Sequence, residues 1–161
     1  MKDEPQKDEP QYASQPGHRD YDHYMSLKSK FEKMHGDLDI DGATLNHNAT
    51  SAALRAFKEN ISTMDRNSDI DGVVLSRSND RHADVAGRYA ILYQGDPNSP
   101  TVRTLAIPTQ ELTQPAERNL QEINRINDHN ERHYARALER QETHQVSQEL
   151  EQQNKGSRSL V

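Results

Sequence analysis

Apolar residues recur at helical spacing in two places in the first half of the chain. Tyr24, Leu27, Phe31 and Met34 follow one another at steps of three and four, one face of a helix, with Gly36 as a stop. Ala53, Leu54, Phe57 and Ile61 repeat the pattern, behind candidate caps at Asn48, Thr50 or Ser51. The period then shortens. Gly72-Val73-Val74-Leu75-Ser76 and Tyr89-Ala90-Ile91-Leu92-Tyr93 are β-prone runs, and the polar stretch between them suits a long hairpin loop. Gly95-Asp96-Pro97-Asn98-Ser99-Pro100 is dense in turn residues, and Val102 to Ile107 makes a third strand closed by Pro108. A last helix is expected from near Thr113, with Pro115 in its first turn, Glu117 at the positive end of its dipole, and Ala116, Leu120 and Ile123 as its apolar stripe. This order predicts an α+β domain over residues 21–126: two N-terminal helices, a small three-stranded antiparallel sheet and a C-terminal helix.

The flanks read differently. In residues 1–20, Lys2-Asp3-Glu4-Pro5-Gln6 is repeated at once as Lys7-Asp8-Glu9-Pro10-Gln11, with almost nothing apolar. Such a stretch cannot offset its ordering entropy by burial, and it is expected to be a disordered linker, the tether of a piece cut from the end of a longer protein. Residues 127–161 are rich in Gln and in charges of both signs, with scattered apolar positions such as Tyr134, Leu138, Val146 and Leu150. Helix propensity there is good, but there is no continuous face to bury. The expectation is a mostly disordered polar tail, able to turn helical near its start and to order against a partner.

Composition narrows the function classes. Of the 161 residues 31% are hydrophobic, with no Trp and two Phe, so the core is small and mainly aliphatic. The absence of Cys excludes disulfides, thiolate metal sites and cysteine nucleophiles. The formal charge of −6 argues against nucleic-acid binding, which needs cations to replace phosphate counterions. No apolar run approaches the roughly 18 residues of a membrane span, and no signal-peptide start is present, so neither membrane insertion nor general secretory export is expected.

Candidate chemistry is sparse. Asp37-Leu38-Asp39-Ile40-Asp41-Gly42 and Asn67-Ser68-Asp69-Ile70-Asp71-Gly72 imitate the start of an EF-hand loop, yet their twelfth positions are Asn48 and Ser78 in place of the bidentate Glu. Turns rich in Asp and Gly are the simpler reading. His129 and His133 stand four apart on a helix, but no Glu sits where a zincin requires it and no third ligand is evident. No glycine elbow selects a nucleophile among the Ser, His and Asp residues. No enzyme, metal or cofactor is expected.

The stretch from the first strand to the last helix resembles a known family. Ile70-Asp71-Gly72-Val73-Val74-Leu75-Ser76, then Tyr89-Ala90-Ile91-Leu92-Tyr93-Gln94-Gly95, Asp96-Pro97, and Pro115-Ala116-Glu117 with Leu120 follow in order. This set, with the upstream Asp20-Tyr21-Asp22-His23 and Phe57-Lys58-Glu59-Asn60, looks like the conserved C-terminal domain of type IV secretion effectors from Xanthomonas and related bacteria, abbreviated XVIPCD. There are departures. Gly72 stands where the family usually has His, Asn98-Ser99 replaces Ala-His, and Gln114 replaces the Thr before the proline.

The resemblance implies a secretion signal without chemistry of its own. Such a domain is recognised in the donor cytoplasm by the all-α domain of a VirD-type coupling ATPase and delivered through the type IV apparatus into a rival bacterium. A toxic effector domain would precede it, and the signal itself would act as a monomer. The docking surface expected on this basis is Asp71, Val74, Leu75, Gln94, Gly95, Asp96, Pro97, Pro115 and Glu117. Each also has a structural reading: whichever of Val74 and Leu75 faces inward is core, Gly95 and Pro97 shape a turn, and Pro115 and Glu117 start a helix. The competing reading is a small acidic immunity-type or regulatory protein, complete in itself.

Overall fold

The structure is a computed structural model that describes residues 10–38, 42–60, 62–77 and 86–159. Most of the tandem linker repeat, Ile61, Asp39–Asp41 of the first acidic loop, Ser78 of the second, and Leu160 and Val161 lie outside the described residues.

Two helices open the fold, α1 (Tyr21–Asp37) and α2 (Ala43–Glu59). The stripe on α1 buries Tyr24, Leu27 and Phe31, with His35 completing it and Met34 half-buried at its margin. Gly36 does not stop the helix, which runs one residue further, to Asp37, and closes with Leu38 N–H donating to Met34 O at 3.1 Å. The second helix starts earlier than its caps suggested. Gly42 occupies the N-cap position, so Asn48, Thr50 and Ser51 lie inside the helix. Ala49, Ala52 and Ala53 present small side chains among the buried residues, and small faces let helices approach closely.

Three strands follow as an antiparallel meander in the order β1 (Gly72–Leu75), β2 (Tyr89–Gln94) and β3 (Arg103–Pro108). The register sets Val73 opposite Leu92 and Leu75 opposite Ala90, while Leu92 faces Leu105 and Ala90 faces Ile107. These pairs form the inner face, because side chains alternate along a strand. Val74, Ile91 and Ala106 therefore line up on the outer face, where Val74 is 47% exposed. A short 3-10 helix (Thr109–Thr113) joins the sheet to α3 (Ala116–Ser159). The core collects Leu27, Phe31, Leu54, Phe57, Met64, Ile70, Leu92, Ile107 and Ile123. The fold is thus α+β, with the predicted element order.

Residues 10–20 correct the linker expectation. Ala13 is fully buried in the core cluster, and Tyr12 packs against it. Gln15 Oε1 accepts from the N–H groups of Gln11 and Tyr12 at 2.6 and 2.8 Å, and Asn124 Nδ2 donates to Gln11 O at 2.6 Å. Asp20 is buried and accepts from Lys58 Nζ at 2.9 Å. A few well-placed side chains are enough to dock a segment whose average composition is that of a linker.

The contact pattern divides the chain into two units, one through Asn124 and one from Arg125. The first turns of α3 belong to the first unit and bury Ala116, Leu120 and Ile123. The second unit is helical, so the helical start expected for the polar tail extends to Ser159. Its Tyr134, Leu138, Val146 and Leu150 are all exposed. Among the described residues, no helix is long and apolar enough to cross a membrane.

Candidate partner-binding surface

Five of the nine residues expected at a docking surface meet where β1 begins and β2 ends. Asp71 N–H donates to Tyr93 O at 2.9 Å, and its carboxylate accepts from Gly95 N–H at 2.6 Å. Gly95 has φ of 101°, in the left-handed region, which is what lets the chain leave β2 while its N–H still points at Asp71. Asp96 then caps its own turn, with Oδ1 accepting from Asn98 N–H and the carbonyl accepting from Ser99 N–H, both at 2.9 Å. Pro97 sits exposed in that turn.

Gln94 is the linchpin of this corner and not a contact residue. It is only 6% exposed. Its Oε1 accepts from Asp65 N–H at 2.7 Å, and its Nε2 donates to the carbonyls of Asp65 and Ser68 at 2.7 and 3.0 Å. All three bonds go to the loop before β1, so the amide is consumed in holding that loop. Asp65 completes the turn: the Asn67 N–H and the Ser68 hydroxyl hold its carboxyl below the ordinary carboxylate range, aided by the Arg103 charge. Asp65, just before the second acidic loop, and Asp71 within it therefore serve as backbone caps. Asp71 is turned towards Gly95.

Val74 and Leu75 separate as alternation requires. Leu75 faces the core, half-buried, and Val74 faces out. Gly72, where the resemblance would place His, lies under the Tyr93 ring. A Cβ there would come within 2.2 Å of Tyr93 Oη. The aromatic ring of the neighbouring strand fills the space a side chain would need.

Pro115 and Glu117 belong to a different part of the fold. The helix begins at Ala116, so Pro115 precedes it and Glu117 lies in its first turn. Asn48 of α2, read from sequence as a cap for its own helix, accepts from Ala116 N–H through Oδ1 at 2.9 Å. It caps α3 from across the fold. No hydrogen bond or ion pair links Pro115 or Glu117 to the Asp71–Pro97 corner among the described residues.

No protein-family model and no curated protein matches the chain.

Concavities in the first unit include two beside expected docking residues or helix ends. One, of about 320 Å3, lies between α2, the 3-10 helix and the start of α3. Its Arg55 is already engaged, with Nε 3.4 Å from Glu59 and Nη1 donating to Asn119 Oδ1 at 3.2 Å. The other is a groove of about 700 Å3 between α1 and β1. It brings Lys30, Lys33 and Met34 of α1 and Leu38 just after it beside Val74 of β1 and Arg77 beyond it. Of the nine residues expected at the docking surface, Asp71, Val74 and Leu75 line this groove, while Lys30, Lys33 and Arg77 carried no expectation. The lysines lie on the helix flank away from the core stripe, where a charge looks like ordinary solvation until the strand opposite is known.

Polar contacts between α1 and α2 are structural. Tyr24 Oη hydrogen-bonds to His47 Nδ1, and His35 Nδ1 pairs with Asn46 Oδ1. Burial, reinforced by the Glu32 charge, pushes the Tyr24 phenol up to about 12. Burial and the nearby Lys28 charge push the His47 imidazole down. His129 and His133 stack with ring centroids 6.3 Å apart in the second unit, both exposed. Among the described residues no group of three or more His, Asp or Glu is placed to hold a metal ion.

Proposed function

We propose that this chain is a non-catalytic recognition module: the secretion signal of an antibacterial type IV effector, read by the all-α domain of a VirD-type coupling ATPase. In this reading the donor cytoplasm is where recognition occurs, a toxic domain precedes the module, and the apparatus carries the whole into a rival bacterium. The observation that supports it is the corner at Asp71, Gln94, Gly95 and Asp96. The residues that carry the family resemblance in the strands are the ones that lock this corner through side chain-to-backbone bonds. A shape held in that way, beside a sheet edge, can be presented to a partner without any reacting group.

Calorimetric titration of the full chain into the soluble all-α domain of the cognate ATPase tests the proposal. Saturable binding, weakened by Asp71→Ala in a variant shown to remain folded, is the expected result. Absence of binding by a folded sample across a range of salt would overturn it. Titration of a chain ending at residue 126 then assigns the affinity to the folded unit or to the helical segment beyond it.

A further inference from the structure

Among the described residues β1 pairs only with β2, which separates it from β3, so the sheet they form has an open edge at β1. Ser76 N–H donates to Tyr89 O at 2.8 Å, and the register sets Val74 opposite Ile91. In an antiparallel ladder the bonding direction alternates residue by residue, so Ser76 and Val74 bond towards β2. The N–H and C=O groups of Val73 and Leu75 therefore point to the free side. An edge of this kind is a ready template for another strand unless charges, proline or a covering element blunt it.

Here the neighbouring element flanks the edge without closing it. Between β1 and α1 lies the groove of about 700 Å3. The α1 residues along it run from Ser29 to Asp37, a helical length of about 12 Å at about 1.5 Å per residue. The four residues of β1 extend about 13 Å. Helix and strand thus bound a slot as long as one short extended segment. A groove between an edge strand and a helix is the setting in which peptides add as a further strand, with main-chain bonds giving affinity and alternate side chains giving selectivity.

The lining sets the chemistry of that segment. Met34, Leu38 and Val74 offer apolar contact. Lys30, Lys33 and Arg77 supply three cations, and none of them makes an ion pair with the described residues. The carboxylates present are Asp37 and Asp71, and Asp71 is bonded to Gly95 N–H. In a chain of net charge −6 this groove is a local excess of positive charge. A second copy pairing through its own β1 would bring Gly72–Leu75, which carries no acidic residue to meet these cations. We propose that the β1 edge and the α1 groove bind an extended segment of another protein in which apolar and acidic residues alternate, added as a fourth strand beside β1. The proposal goes beyond the secretion reading, and it stands or falls without the ATPase.

The test is amide NMR of the isotope-labelled full chain, titrated with a short, terminally blocked peptide of alternating Val and Glu. Controls are the alternating Val and Lys peptide and the Val and Glu peptide N-methylated along one edge. The expected result is saturable shifts at the Val73 and Leu75 amides with slowed hydrogen exchange there, and neither control reproducing them. Lys30→Glu with Lys33→Glu, on a helix face that is exposed or half-exposed, should weaken binding by about tenfold or more while leaving the free spectrum dispersed. No saturable shift at those amides, equal binding of the Lys peptide, or indifference to N-methylation would overturn the proposal. Shifts at β1 that grow with chain concentration alone would give the edge to a second copy and overturn it too.

Discussion

Replacing Gln94 separates a contact residue from a scaffold residue. The side chain is 6% exposed and makes three hydrogen bonds, all to backbone groups of Asp65 and Ser68. A typical intramolecular hydrogen bond contributes about 0.5–1.5 kcal/mol net, and a buried group left unpaired costs about 1–3 kcal/mol. In Gln94→Ala the loop groups stand near the surface and water can reach some of them, which places the loss at about 2–3 kcal/mol. With a urea slope of about 1.5 kcal/mol/M the unfolding midpoint should fall by about 1.3–2 M. Gln94→Glu keeps the acceptor for Asp65 N–H but sets a carboxylate against the carbonyls of Asp65 and Ser68, so it should cost as much or more. Equilibrium urea unfolding followed by far-UV circular dichroism reads both. A Gln94→Ala protein with an unchanged midpoint and reduced partner binding would refute the scaffold assignment and return Gln94 to the docking surface.

Other substitutions address separate elements. Thr50 Oγ1 is fully buried without a hydrogen-bond partner among the described residues; Thr50→Val keeps the shape and should raise stability by about 1 kcal/mol in the same urea assay. Asp20→Ala leaves Lys58 largely buried without its carboxylate at 2.9 Å, and the expected loss of about 3 kcal/mol would be near zero if residues up to 20 were a free linker. Asn48→Ala uncaps α3 at Ala116 and should cost about 1 kcal/mol. The His47 imidazole is held below its ordinary 6.5. Its neutral form is favoured in the fold, so its contribution is complete above pH 6.5 and is lost as acid drives it through the lowered value. Thermal midpoints of wild type and His47→Gln should therefore converge as the pH falls below that range.

What the sequence discloses and what it hides follow different physics. The stripe Tyr24, Leu27, Phe31 and the runs at Val73 and Ile91 are legible because burial imposes a period on apolar residues. The early start of α2 is not, since Ala43 to Asn48 offer only Leu45 as a large apolar residue and the capping position is Gly42. The docked segment at residues 10–20 is hidden by averaging, because Ala13 alone is fully buried in a stretch otherwise polar. Gln94 reads as a surface residue in any hydropathy scale, and only its three tertiary partners show it to be interior. The groove is a product of topology: Lys30 and Lys33 acquire meaning when β1 is found to be an edge strand facing α1.

The corner and the groove divide the work between them. Asp71, Gln94 and Gly95 spend their polar groups on backbone, so likeness to a family at those positions bears on shape more than on contact chemistry. Selectivity for a partner has to reside in groups with unspent capacity. Near β1 these are the free-side amides of Val73 and Leu75, the exposed Val74, and the cations Lys30, Lys33 and Arg77. Substitutions at the corner should therefore weaken any partner in proportion to the stability they remove, whereas charge reversal on α1 should alter partner choice at constant stability. A double-mutant cycle between Asp71→Ala and Lys33→Glu distinguishes the two effects, because additive losses imply separate roles and a coupling energy above about 0.5 kcal/mol implies one shared contact.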